Sequence, residues 1–251
     1  VDYDTYAGLI EYQIREGSHG ILVNGTTSEP ASLTNEERNR IVSLAMEVVK
    51  GRVPVVAATG SQSFADTKVL TDHAVKAGVD ALLIVTPYYS VPPQRGMVRY
   101  YLELTKGIDT PWMIYHIPVS DCFAAVGHDL KIFVGLEDLS FPMMAIGGCG
   151  LMNAVGNLRP RVLADLCEAV WAGDLNRGRE LHHQLHEINR AVFFDTNPIP
   201  MKYMAKKLGK NSVVLMRGHG FSAAADGLLK LVRLSVYLPR NARILLAAMR
   251  M

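Results

Sequence analysis

Short apolar runs recur along the chain, each followed by a polar or glycine-rich turn and then an amphipathic stretch. The runs are Gly20–Asn24, Val53–Ala58, Ala81–Val85, Pro111–Tyr115, Lys131–Gly135 and Gly150–Val155. They lack a period of two, and most are bounded by Gly or Pro, the pattern of strands buried on both faces of a parallel sheet. Between them the spacing predicts helices over Tyr3–Arg15, Asn35–Lys50, Ala65–Ala77, Gln94–Lys106 and Val162–Phe194. Thr34 followed by Glu37 makes a capping box for the second of these. Gly51, Gly78 and Gly107 fall where helix stops belong.

Strand–helix alternation with short links is an α/β pattern, either a barrel or a doubly wound sheet. No GxGxxG triplet follows any run, which removes the main signature of a dinucleotide fold. Polar residues instead cluster after four successive runs, at Asn24–Glu29, Thr59–Ser61, Thr86–Tyr89 and Tyr115–Pro118. Chemistry spread over many strand ends is the barrel arrangement, so the pattern predicts a (β/α)8 TIM barrel with C-terminal helices. The barrel spans residues 1–158, with a helical region over 159–211 and an atypical segment over 212–251.

The spacing breaks once. Runs start near residues 21, 53, 81 and 111, about 30 residues apart as in ordinary βα units. The next begins near 131, and Val119–Leu130 is barely long enough for one crossover. Six strands are counted, not eight. A leading strand and one whole βα unit around Ser120/Asp121 are therefore expected to be omitted from this stretch of sequence.

Composition narrows the function. The 251 residues are 49% hydrophobic and 20% charged with a formal net charge of +2, enough chain for one large core. No Lys/Arg block points to nucleic acid or an acidic membrane surface. Cys122, Cys149 and Cys167 have no paired spacing, which argues against a disulfide framework or CxxC zinc site. No apolar run reaches the roughly 18–20 residues of a membrane span, and no signal-peptide pattern opens the chain. A cytoplasmic enzyme with no nucleic-acid or membrane partner is expected.

Four motifs then converge. Gly25–Glu29 (Gly-Thr-Thr-Ser-Glu), Thr86–Tyr89 (Thr-Pro-Tyr-Tyr), Tyr115–Pro118 (Tyr-His-Ile-Pro) and Asn197–Lys202 (Asn-Pro-Ile-Pro-Met-Lys) resemble, in order and spacing, the dihydrodipicolinate synthase / N-acetylneuraminate lyase family. The resemblance implies a class I aldolase that binds pyruvate, or a 2-keto acid cleaved to pyruvate, as an imine on a lysine, with no other cofactor. It assigns Gly25, Thr26 and Thr27 to the substrate carboxylate. Thr26, Tyr115 and Tyr89 form a proton relay, with Tyr88 and Tyr89 at a subunit contact of a homodimer or homotetramer. Hydroxyls and N–H groups on a turn suit a carboxylate, and a strand-end tyrosine suits proton transfer. Glu29 caps or orients the turn, and Lys202 is structural.

Three features depart from that family. No lysine fits the end of the strand after Tyr115: Lys131 starts a strand and Lys106 closes a helix. The βα unit missing from the spacing is the one that would carry it. Val119 and Ser120 stand where an arginine for the second substrate usually follows the Tyr-x-x-Pro proline, and Ser28 and His116 replace the commoner Gly and Asn. A catalytically inactive, keto-acid-binding barrel is the corresponding alternative.

Another alternative lies at the C-terminus. Residues 212–251, with Val213–Gly220 and Asn241–Arg243, resemble the last strand and helix of class II aldolases, which implies His219 as one of three zinc ligands. A single imidazole does not hold zinc, and the upstream His-x-His pair is missing. His182, His183 and His186 lack the glutamate of HExxH and read as a solvated helix face.

Overall fold

The computed structural model describes residues 1–88, 92–115, 131–208, 213–216 and 220–223. Each predicted run contains a strand: β1 (Ile21–Val23), β2 (Val55–Ala58), β3 (Ala81–Val85), β4 (Trp112–Tyr115), β5 (Phe133–Val134) and β6 (Gly150–Leu151). The helices are α1 (Tyr3–Arg15), α2 (Asn35–Val49), α3 (Phe64–Ala77), α4 (Gln94–Leu104), α5 (Ser140–Ala145), α6 (Pro160–Trp171), α7 (Leu175–Ala191) and α8 (Ile199–Leu208). β1 to β4 form one parallel sheet in chain order, with Ile21 beside Val55, Val56 beside Ala81 and Val85 beside Tyr115. β5 and β6 form a second parallel pair. β7 (Val213–Met216) and β8 (Gly220–Ala223) add an antiparallel hairpin that the strand count from sequence did not contain.

Local chemistry explains the boundaries. α2 starts on the predicted capping box: Thr34 Oγ1 accepts from the Glu37 N–H at 3.2 Å, and Glu37 accepts from the Thr34 N–H at 3.0 Å. It ends one residue early, because Lys50 itself takes the left-handed conformation (φ +49°) ahead of Gly51. The single helix predicted over Val162–Phe194 is two helices, α6 and α7. Gly173 turns left-handed (φ +78°) and the Asp174 carboxylate accepts from the Arg177 N–H at 2.9 Å, so a stop and a start fall side by side.

Two apolar clusters build the molecule. The first packs Val23, Ala57, Leu82 and Ile84 of the sheet against α1 to α4; the second gathers Leu166, Leu181, Leu185 and Met204 from α6 to α8 around Val155. Polar ties join them: Gln13 Nε2 donates to the Gly156 carbonyl at 3.0 Å, and the His19 ring lies 3.2 Å from the Glu168 carboxylate.

Among the described residues, the sheet is unevenly covered. On the sheet face where β3 buries Leu82 and Ile84 completely, their register partners Trp112 and Ile114 on β4 are 37% and 51% exposed. Trp112 keeps a stacking partner, Tyr101, with centroids 5.6 Å apart. Among the described residues β4 pairs only with β3 and β5 only with β6. That is where the spacing expected a missing βα unit. Ser120 and Asp121 are consecutive residues, which overturns the expectation of an omitted unit between them; residues 116–130 lie outside the described residues.

Candidate active site

β1 delivers the chain to a tight turn. Asn24 adopts φ +57°, a conformation asparagine tolerates, and its buried Nδ2 donates to the Arg38 carbonyl at 3.0 Å. Thr26–Ser28 then close a 3-10 turn through bonds from the Ser28 N–H to Gly25 O (2.9 Å) and the Glu29 N–H to Thr26 O (3.0 Å). The Ser28 hydroxyl donates to Gly25 O at 2.7 Å. A 3-10 turn leaves its first N–H groups without partners inside the turn, so Thr26 and Thr27 offer both hydroxyls and N–H groups at the carboxyl end of β1. Glu29 sits left-handed (φ +54°) between this turn and a second one, Pro30–Ser32, and its side chain makes no capping hydrogen bond to that second turn.

The neighbouring strands end at the same mouth. Arg38, 5% exposed, reaches from α2 to the carbonyls after β2, donating from Nη2 to Ala58 O at 3.0 Å and Gly60 O at 3.2 Å. Burial pulls its pKa down, opposed by the neighbouring Tyr88 and Asp66. With the Asn24 bond, one α2 residue fixes the ends of both β1 and β2. Gly60 has to be glycine: a Cβ there would lie 2.5 Å from the Val85 side chain and 2.7 Å from its backbone nitrogen. Tyr115 closes β4, half-buried, its carbonyl accepting from the Thr86 N–H at 3.4 Å. Thr26, Thr27 and Tyr115 thus stand on the carboxyl ends of strands of one sheet. Tyr88 is 41% exposed. Tyr89 and His116–Pro118 lie outside the described residues.

A distant segment folds onto the β1 turn. Asn197 Nδ2 donates to Thr27 Oγ1 at 3.2 Å, and the Lys202 ammonium pairs with the Glu29 carboxylate.

The second strand pair carries a group that the sequence did not single out. Glu137, fully buried after β5, accepts from the Val155 N–H at 3.3 Å through Oε1, while Oε2 has no partner among the described residues. Burial pushes its carboxyl pKa up, against the lowering effect of nearby backbone N–H groups. Its carbonyl accepts from Ser140 Oγ at 2.7 Å and Asn189 Nδ2 at 3.1 Å. An isolated Glu-Asp pair in sequence gives no sign of this enclosure.

Among the described residues no lysine ends a strand. Lys131 precedes β5, Lys68 and Lys76 lie on α3, Lys50 and Lys106 follow helices, and Lys202 is on α8. No group of three His, Cys, Asp or Glu that could hold a metal occurs among the described residues, and His219 lies outside them. His183 and His186 are exposed, as read from sequence. His182 is instead half-buried beside Phe141, with Nδ1 buried and unpartnered among the described residues.

Known proteins match this chain. The model of the "Dihydrodipicolinate synthetase family" matches residues 1–123 and 119–233. A 4-hydroxy-tetrahydrodipicolinate synthase of Thermus thermophilus is 36% identical over 244 positions, covering 83% of this chain and 82% of the relative. That of Syntrophobacter fumaroxidans is 34% identical, covering 84% of each. The crystal structure of dihydrodipicolinate synthase from Aquifex aeolicus superimposes with a TM-score of 0.80 at 32% identity over 83% of both chains. The 4-hydroxy-tetrahydrodipicolinate synthase structure from Methylacidiphilum fumariolicum does so at 0.80 and 27%, over 100% of this chain and 93% of that one.

The form of the match repeats the break in spacing. The two family segments meet at 119–123, around Ser120/Asp121. The Thermus alignment runs over 244 positions yet takes in 83% of a 251-residue chain, leaving tens of positions of the relative without a counterpart here. The second segment reaches residue 233, so it includes the beginning of the stretch compared with class II aldolases. The chain belongs to the dihydrodipicolinate synthetase family, class I aldolase-type lyases on an α/β barrel.

Proposed function

We propose that this chain is a Schiff-base lyase that condenses pyruvate with an aldehyde or cleaves a 2-keto acid to pyruvate. The Thr26–Thr27 turn supports this reading best: hydroxyl and N–H donors gathered at the end of β1, with a tyrosine at the end of β4 on the same mouth. Thr26 and Thr27, with the Gly25 backbone, hold the carboxylate through neutral donors. Tyr115 carries a proton to and from the carbonyl oxygen, relayed through Thr26 and through Tyr89 of a neighbouring subunit in a homodimer or homotetramer. The reading requires a lysine amine, which no strand end among the described residues supplies, to attack the keto carbon; water leaves, and the iminium takes up the electron pair of the adjacent carbanion. No metal is needed for this step.

A second reading is a barrel that binds the keto acid without covalent chemistry. It is favoured by the absence, among the described residues, of a lysine at a strand end, and by the two-segment family match. Borohydride with pyruvate, followed by peptide mass mapping, separates the two. The lyase reading expects a permanent adduct on one lysine and loss of activity. Calorimetric pyruvate binding with no reducible adduct supports the second, and no binding at all defeats both.

A further inference from the structure

We propose that Asn197 is a positioning residue that sets the direction of the Thr27 hydroxyl, turning its proton toward the bound carboxylate. The inference rests on the reading of the Thr26–Thr27 turn as the carboxylate site. Thr27 and Asn197 are 170 residues apart, yet Asn197 Nδ2 donates to Thr27 Oγ1 at 3.2 Å. From the same short segment, Lys202 pairs with Glu29 two residues beyond Thr27. Two contacts from one segment onto one turn fix the approach of the Asn197 amide, and both Asn197 and Thr27 are half-buried.

A hydroxyl has one proton and two acceptor sites. The neighbouring Ser28 uses its proton inside the turn, donating to Gly25 O at 2.7 Å. Thr27 is wired the other way: its oxygen accepts from an amide, so its proton is left to donate elsewhere. A donor with fixed direction suits an anion, and a hydroxyl whose proton pointed back at Asn197 would present lone pairs to the carboxylate instead. Asn197 acts through Thr27 and needs no contact with substrate.

Asn197→Asp is the decisive variant, because it keeps the shape and exchanges the amide donor for an acceptor. Titration calorimetry with pyruvate at pH 7 on the full chain is expected to show binding weakened at least ~10-fold in Asn197→Asp, the scale of a hydrogen bond to a charged group. Asn197→Ala, which leaves the hydroxyl free to rotate, loses less. Affinity of Asn197→Asp recovers as pH falls toward the ordinary carboxylate range of about 4, where the new side chain regains a proton. In a Thr27→Val background the aspartate is expected to cost several-fold less than in the parent, since only its direct charge repulsion remains once the hydroxyl it acts through is gone. A purely structural role would persist in that background and would not follow pH. Equal affinity of Asn197→Asp and the parent, or an equal loss with Thr27→Val, overturns the proposal. Should Asn197→Asp fail to fold, Asn197→Ala with and without Thr27→Val carries the same comparison. A parent chain that does not bind pyruvate removes the carboxylate site and this inference together, an outcome distinct from a parent that binds and variants that do not differ.

Discussion

The residues that do most to shape this mouth are those whose partners are far away in sequence. Threonines after an apolar run and a tyrosine at a strand end were visible as candidates, because polar groups at the edge of apolar runs are conspicuous. Arg38, Glu137 and Asn197 were not given these roles: a Glu-Glu-Arg stretch, a Glu-Asp pair and an asparagine before proline acquire them only when the fold closes around them. Glu137 offers a direct check. Burial raises its folded pKa, so folding favours the protonated form. Its contribution to stability is therefore full below the ordinary carboxylate range and falls as pH rises through the raised value. Urea titrations of the parent and Glu137→Gln at pH 5 and pH 8 are expected to show the variant gaining on the parent at the higher pH. Parallel stabilities at both values would mean that the carboxyl is ionised at no cost. A second check is Cys167, buried against Met144 with a thiol pushed up to about 11 by burial. Native-state alkylation at pH 8 should leave it unmodified, with labelling only after unfolding.

At the scale of elements, the apolar runs and glycine stops were legible because strand burial and helix termination are local chemistry. The α6–α7 break was missed because Trp171–Leu175 keeps an apolar rhythm across Gly173, and one glycine inside a periodic stretch is a weak signal. β7 falls within the strand expected at Val213–Gly220 from resemblance, whereas its pairing with β8 lay beyond what local pattern could resolve. Two measurements test the energetics of these elements. Thr34→Ala removes the α2 cap and is expected to cost about 1 kcal/mol in chemical unfolding, with Glu37 losing its reciprocal partner. Ile84 and Ile114 form the sharper comparison, since they are register partners on one sheet face with opposite burial. Ile84→Ala should cost about 3 kcal/mol, in the range of buried large-to-small changes, and Ile114→Ala less than about 1 kcal/mol. Comparable losses at both sites would mean that β4 is covered in solution as β3 is.

For the whole molecule, the family's barrel was legible from polar strand ends, whereas the omitted unit inferred from the short interval at Val119–Leu130 does not survive the continuity of Ser120 and Asp121. What no local pattern could give is how the two halves meet. Each has its own apolar cluster, and among the described residues no strand pairing connects β4 to β5. Among the described residues, ties between the two parts include Gln13–Gly156, His19–Glu168, Asn197–Thr27 and Lys202–Glu29. Exposed ion pairs and single neutral hydrogen bonds contribute little each, about 1 kcal/mol or less, so these ties alone are expected to couple the two clusters weakly. The chain holds two tryptophans, one in each half: Trp112 on β4 and Trp171 at the end of α6. Their fluorescence separates the two parts. In urea, the Trp112→Phe variant reports the second cluster through Trp171, and the Trp171→Phe variant reports the first through Trp112. The two curves are expected to have different midpoints, the signature of unfolding that is not all-or-none. Trp171 also packs edge-on to His19 across the junction, with centroids 5.1 Å apart, so its signal should change first where the junction parts before the second core melts. Coincident midpoints that also match loss of helical circular dichroism would show that the polar ties bind both clusters into one cooperative unit.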